Sequence, residues 1–193
     1  MNLSNLKSLC AIAIALVATG RLVSANLIVN PGFETGDFTG WTTTPAASGS
    51  IFAVVPTFAH SGTYAVSFGA FGADLDAISQ TFVTTPGTLY DLSFWLTNSF
   101  DNNEFRVTFG GITVLDLIDS GDLPYTQFTF TGLATGSSMT LEFAGRNYPS
   151  FSYLDDVSVT PSSGVPDSGS TAMLFGVSAA ALLLARMRFR RIA

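Results

Sequence analysis

The chain has 193 residues, of which 47% are hydrophobic and only 11% charged, and Asp and Glu outnumber Lys and Arg by 14 to 8, for a formal net charge of −6. So apolar a chain is not intrinsically disordered, and its acidic balance argues against nucleic-acid binding, which needs a basic surface. A single Cys excludes an internal disulfide framework and a cysteine-ligated zinc site.

Charge is distributed unevenly. Residues 1–25 hold Lys7 and Arg21 and no acid, residues 26–164 hold 13 acids against Arg106 and Arg146 for a net −11, and residues 165–193 hold four Arg against Asp167. The first 25 residues read as a secretory signal peptide. Lys7 begins it, residues 9–18 form an apolar run too short to span a bilayer comfortably, and Val23 and Ala25 suit a cleavage site before Asn26. Cys10 lies in that run and leaves with it.

From residue 26 to 160 the pattern is short alternating runs of Val, Ile, Phe, Tyr and Thr, broken by Gly, Pro, Asn and Asp. This predicts strands at 27–29, 50–55, 64–68, 77–83, 89–97, 104–109, 112–117, 125–131, 138–144 and 152–160. Phe109-Gly110-Gly111-Ile112 predicts a hairpin with a primed turn. The fold class expected is an all-β jelly-roll sandwich of about eight to ten antiparallel strands. Alternation places Tyr90, Leu92, Phe94 and Leu96 inward with Asp91, Ser93, Trp95 and Thr97 outward. It likewise places Phe105, Val107 and Phe109 inward with Arg106 outward, and Phe128 and Phe130 inward with Tyr125, Gln127 and Thr129 outward.

A linker with the motif Val165-Pro166-Asp167-Ser168-Gly169 spans 161–171. An apolar helix over 172–185 and the basic end Arg186-Met187-Arg188-Phe189-Arg190-Arg191 follow. The helix is short for a bilayer, and the arginines place its end in the cytoplasm. This three-part tail resembles the PEP-CTERM family of bacterial sorting signals, in the variant whose motif reads Val-Pro-Asp-Ser-Gly. The resemblance implies transient anchoring in the inner membrane, processing by a membrane-embedded exosortase, and delivery to the cell surface or extracellular matrix of an exopolysaccharide-producing bacterium.

The middle of the chain has its own resemblance. Asn30-Pro31-Gly32-Phe33-Glu34 with Gly36-Asp37-Phe38-Thr39-Gly40-Trp41, then His60-Ser61-Gly62-Thr63-Tyr64-Ala65-Val66, Leu89 to Trp95, and Leu154-Asp155-Asp156-Val157-Ser158-Val159 occur in order. They resemble carbohydrate-binding-module-like, galactose-binding-like jelly rolls. That resemblance implies a structural Ca²⁺ held by Glu34 and Asp155, with backbone carbonyls near Ser61 and Thr63 as further ligands, a donor set suited to a hard cation. It also makes His60 a turn residue. Asp155 shares the parity of Val157 and Val159, which predicts that it points inward and Asp156 outward. The alternative is a carboxylate that accepts backbone N–H groups in a turn.

For a glycan, outward aromatics with flanking polar groups are the expected platform. Trp95, Arg106, Tyr125 and Gln127 would form one if their strands adjoin, and the alternative for Trp95 is cover by a loop or a second layer. Trp41 is expected in core or loop packing. The acid pairs Asp74/Asp76, Asp116/Asp119 and Asp155/Asp156 are the only candidates for glycosidase chemistry, and no nucleophile-elbow, metalloprotease or phosphate-loop motif occurs. The expectation is therefore a non-enzymatic, exported protein contacting polysaccharide. A purely structural or adhesive matrix protein is the alternative, and a small glycan hydrolase the remote one.

Overall fold

The computed structural model describes residues 24–100, 102–134 and 136–162. The signal peptide up to residue 23, the motif Val165 to Gly169 and the apolar helix expected after it lie outside the described residues. The described residues form strands only: β1 (Thr42–Thr44), β2 (Ala53–Val55), β3 (Ala65–Phe68), β4 (Asp76–Val83), β5 (Leu89–Asn98), β6 (Glu104–Phe109), β7 (Ile112–Ile118), β8 (Leu123–Ala134), β9 (Ser138–Arg146) and β10 (Ser152–Pro161). They make two five-stranded antiparallel sheets, ordered β1-β4-β9-β6-β7 and β2-β3-β10-β5-β8. Each pairs strands distant in sequence, so the sandwich closes only when segments from both ends of the described residues are in place.

The core is written by alternation. Tyr90, Leu92, Phe94 and Leu96 of β5 and Phe105, Val107 and Phe109 of β6 are all buried, and they meet Phe143 and Leu141 of β9. Rings pack edge to face, with Phe94 5.0 Å from Phe143 at 80° and Phe68 5.3 Å from Phe105 at 89°. Such contacts add to the roughly 1.5–3 kcal/mol that burial of each large apolar side chain contributes. Trp41 joins this core, tilted against Phe33 and Phe143, with its indole N–H donating to the Asn30 carbonyl at 3.3 Å. The Phe109–Ile112 hairpin turns through Gly110 and Gly111 at φ +60° and +80°, the two positive angles a primed turn requires.

Three elements differ from the sequence pattern. Residues 27–29 are not a strand. Leu27 donates to the Val159 carbonyl while Val29 exchanges hydrogen bonds with the Gln80 side chain, so this segment crosses from the second sheet to the first and has no single partner to follow. Its place in the first sheet is taken by Thr42–Thr44, an exposed edge strand with no apolar alternation to announce it. The third difference is in β10. Asp155 pairs with Trp95, yet Ser158, three residues on, pairs with Ser93, two residues on. The extra residue is a β-bulge, with Asp156 at φ +49°. The core residues of β10 are therefore Leu154, Val157 and Val159, and Asp155 lies with Trp95 on the outer face. The inward orientation expected for Asp155 is corrected: uninterrupted alternation does not hold across a bulge.

Candidate functional site

The outer face of the first sheet is open. Strand register sets Thr44, Ala77, Ala144, Arg106 and Asp116 side by side across all five strands, and Thr42, Ser79, Glu142 and Thr108 in the next row. A cleft of about 530 Å³ runs over this surface, with Ala77 and Ala144 as floor and Thr44, Asp74, Glu104, Arg106 and Glu142 as its polar side chains. Its far wall is the loops at 45–47 and 73–75. Buried Asp76 holds both loop regions, accepting the Ala46 N–H at 3.0 Å and the Gly69 N–H at 3.3 Å, and Asp74 accepts the Ser48 N–H at 3.0 Å. A second depression of about 280 Å³ meets the first at Ala73 and is lined by Asn102, Arg146 and Tyr148.

The charges here are positioned. Glu104 lies 3.4 Å from the Arg146 guanidinium and 3.6 Å from that of Arg106. Arg146 also donates to the Asn102 side-chain and backbone oxygens at 3.3 and 3.4 Å. Glu142 makes neither a hydrogen bond nor an ion pair with the described residues, which leaves both its oxygens available. Tyr148 is 51% exposed and its ring packs edge to face with Phe71 at 4.6 Å, so the aromatic surface of the second depression is braced. Together these groups present donors that only donate, acceptors that only accept, and one open ring.

The outer face of the second sheet is covered. The 56–63 loop lies across it, with the His60 ring stacked on Trp95 at 3.7 Å and 14° and edge-on to Tyr125 at 5.2 Å. Asp155 is fully buried and accepts the N–H groups of His60 at 2.8 Å, Ser61 at 3.0 Å and Asp156 at 2.7 Å. Asp156 accepts from the Ser61 hydroxyl and meets His60 Nδ1, both at 2.7 Å. Glu34 accepts the Thr63 and Tyr64 N–H groups at 2.9 and 3.1 Å. Loss of water raises the Asp155 carboxyl above the usual carboxylate range, although the backbone N–H groups pull it the other way. Burial likewise pushes the Tyr125 phenol well above its ordinary value, with the charges of Asp155 and Asp156 adding to it.

The four residues expected in one glycan platform are thus divided. Trp95, Tyr125 and Gln127 share the second sheet, where Trp95 pairs with Gln127. Arg106 lies on the outer face of the opposite sheet, because β6 pairs with β7 and β9 and not with β5 or β8. That grouping is corrected, and one face of Trp95 is taken by His60. Glu34, Asp155, Ser61 and Thr63 do come together, the two acids flanking Gly32, but Ser61 and Thr63 meet them through backbone N–H groups and not the carbonyls expected, which is the contact of the alternative reading, a carboxylate accepting backbone N–H groups. Among the described residues no group of three or more His, Cys, Asp or Glu is disposed to hold a metal. Sequence reasoning missed Glu104, Glu142, Arg146 and Tyr148. One signal was available: the only two cations of residues 26–164, Arg106 and Arg146, both fall at outward positions of one sheet.

No family model matches the chain, and no curated protein matches it. Solved structures do. A family 61 carbohydrate-binding module, determined with β-1,4-galactotriose, has a TM-score of 0.61 at 22% identity, over 72% of this chain and 99% of that one. The K3 cleaved adhesin domain of Lys-gingipain from Porphyromonas gingivalis has 0.55 at 17% identity, over 71% and 98%. The enzymatically active domain of bacteriophage CBA120 tailspike protein 4 has 0.51 at 14% identity, over 70% of this chain but only 21% of the other. The described domain is a β-sandwich with the fold of a carbohydrate-binding module.

Proposed function

We propose that this domain binds a neutral polysaccharide along the outer face of its first sheet, within an exported, surface- or matrix-associated protein that performs no chemistry on the chain it holds. The cleft of about 530 Å³ carries this reading. Its alanine floor lets a sugar ring approach the sheet, Arg106 and Arg146 donate to hydroxyls, Glu142 accepts from them, and Tyr148 offers a ring for stacking. Glu104 restrains both guanidiniums before ligand arrives, which limits the side-chain entropy lost on binding. Its engagement with two arginines also suits it to positioning better than to the acid of a glycosidase pair.

The test is affinity electrophoresis of the domain through soluble neutral galactan, xylan, mannan and glucan. At least one should retard it, and the double variant Tyr148→Ala/Arg106→Ala should bind about tenfold more weakly. Retardation that survives the double variant unchanged would place the site elsewhere.

Export and sorting rest on the sequence. The signal peptide and the tail from Val165 support passage through the inner membrane, exosortase processing and release to the surface. Mass spectrometry of mature protein from the native host should find Asn26 at the start and no residue from 172 onward.

We also propose that Glu34 and Asp155 hold a Ca²⁺ ion beside the backbone at Ser61 and Thr63. The donor set fits. Both groups are carboxylates bordering Gly32, Asp155 is buried, and the two arginines of the described residues are engaged elsewhere, with Glu104. Bound there, the ion would neutralise buried charge and pin the 56–63 loop.

A further inference from the structure

We infer that the second sheet carries a separate glycan-binding platform, built on Phe58, so that one domain can hold two chains on opposite faces. Glycan binding is presupposed here, but no residue of the cleft is used.

Phe58 is 65% exposed, although burying its ring would be the ordinary outcome for so apolar a side chain. Its backbone sits at φ +59°, a conformation that bulky residues rarely adopt and that persists only when the surroundings enforce it. The surroundings do so. The Tyr125 hydroxyl donates to the Phe58 carbonyl, and two residues on, His60 is held by Asp155, Asp156 and Trp95. The ring rests on Tyr153 of β10 at 4.7 Å and 28°, and Tyr153 in turn contacts Phe151 at 6.1 Å. One face of Phe58 is therefore backed by an aromatic row, and the loop that presents it is anchored to the sheet. A rigid ring of this kind binds at little entropic cost.

Polar groups lie alongside. Gln127 follows Tyr125 on the same face of β8, is exposed, and makes no hydrogen bond within the described residues; the Tyr153 hydroxyl is likewise unengaged. Charge selects the occupant. Asp155 and Asp156 lie beneath the loop, and both described arginines are on the opposite sheet. Uronate polymers and anionic lipid are disfavoured, and a second copy of this chain brings the same net −11 over residues 26–164. An uncharged pyranose chain, stacking one ring face and accepting or donating at its rim, is the partner that fits.

Isothermal titration with neutral oligosaccharides (β-1,4-galactotriose, xylohexaose, cellohexaose and mannohexaose) should give two equivalents per domain for the recognised sugar. Light scattering should show the domain cross-linking the matching polymer. Phe58→Ala, which removes an exposed ring, should leave the melting curve nearly unchanged, weaken one site at least about tenfold, and abolish cross-linking. Tyr148→Ala/Arg106→Ala should remove the other equivalent. A single equivalent lost only with the cleft variant overturns the Phe58 platform and leaves the cleft standing. A single equivalent lost only with Phe58→Ala overturns the cleft instead, and no binding at all overturns both.

Discussion

The two outer faces of the sandwich come from the same period-two pattern and end in opposite conditions. At the centre of the first sheet the outward residues are small or polar, the arginines are held by Glu104, and an open cleft remains. On the second they include Trp95, Tyr125 and Tyr153, and a loop is drawn over them by Asp155, Asp156 and Glu34. Outward in a strand is thus not the same as exposed. A half-apolar outward row attracts cover, and a polar row with alanines at its centre stays open to a ligand.

That contrast can be broken most directly at Asp155. Asp155→Ala removes the acceptor of three backbone N–H groups from a buried position, and the expected loss is about 3 kcal/mol or more. Urea denaturation measures it, and a loss under about 1 kcal/mol would mean that the loop is not clamped this way. Trp95→Ala comes next. It removes the surface on which His60 stacks, so stability should fall by about 2 kcal/mol while glycan affinity in the cleft stays the same. A collapse of cleft binding in a folded Trp95→Ala protein would mean that the cleft is not a site independent of the second sheet.

Calcium sharpens the difference between the faces. At saturation it should add about 2–3 kcal/mol, read as a higher melting temperature that EDTA reverses and Glu34→Gln abolishes. An unchanged melting curve, with no metal in the purified protein, removes the ion from the account. The smallest expected effect is on pH. Because the folded state holds the Asp155 proton more tightly than the unfolded chain, stability in EDTA should fall as pH rises from 3.8 through the raised folded value. Asp155→Asn should flatten that part of the profile. A wild-type protein that gains stability across the window, with no difference from Asp155→Asn, contradicts the assigned direction.

Much of this was legible in advance because burial follows parity. The inward rows of β5 and β6 were readable residue by residue, and so was the Gly110-Gly111 turn, since only glycines accept both angles without strain. Thr42–Thr44 was not, because an exposed edge strand has no apolar rhythm. The bulge at Asp156 was not, because one inserted residue inverts parity while leaving composition unaltered. For the site, Arg106 was recognised as outward, but its partners were misjudged.

The sequence by itself determined most of the strands, the inward rows of β5 and β6, and the acidic middle of the chain. Tertiary structure alone decided which strands adjoin, and hence that Arg106 lies with Glu104, Glu142 and Arg146 while Trp95 lies under His60. The physical reason is that periodicity along a strand specifies only which way a side chain points. Neighbours across the sheet come from pairings of segments far apart in the chain, such as β3 with β10 and β4 with β9, and are settled only when the whole core closes.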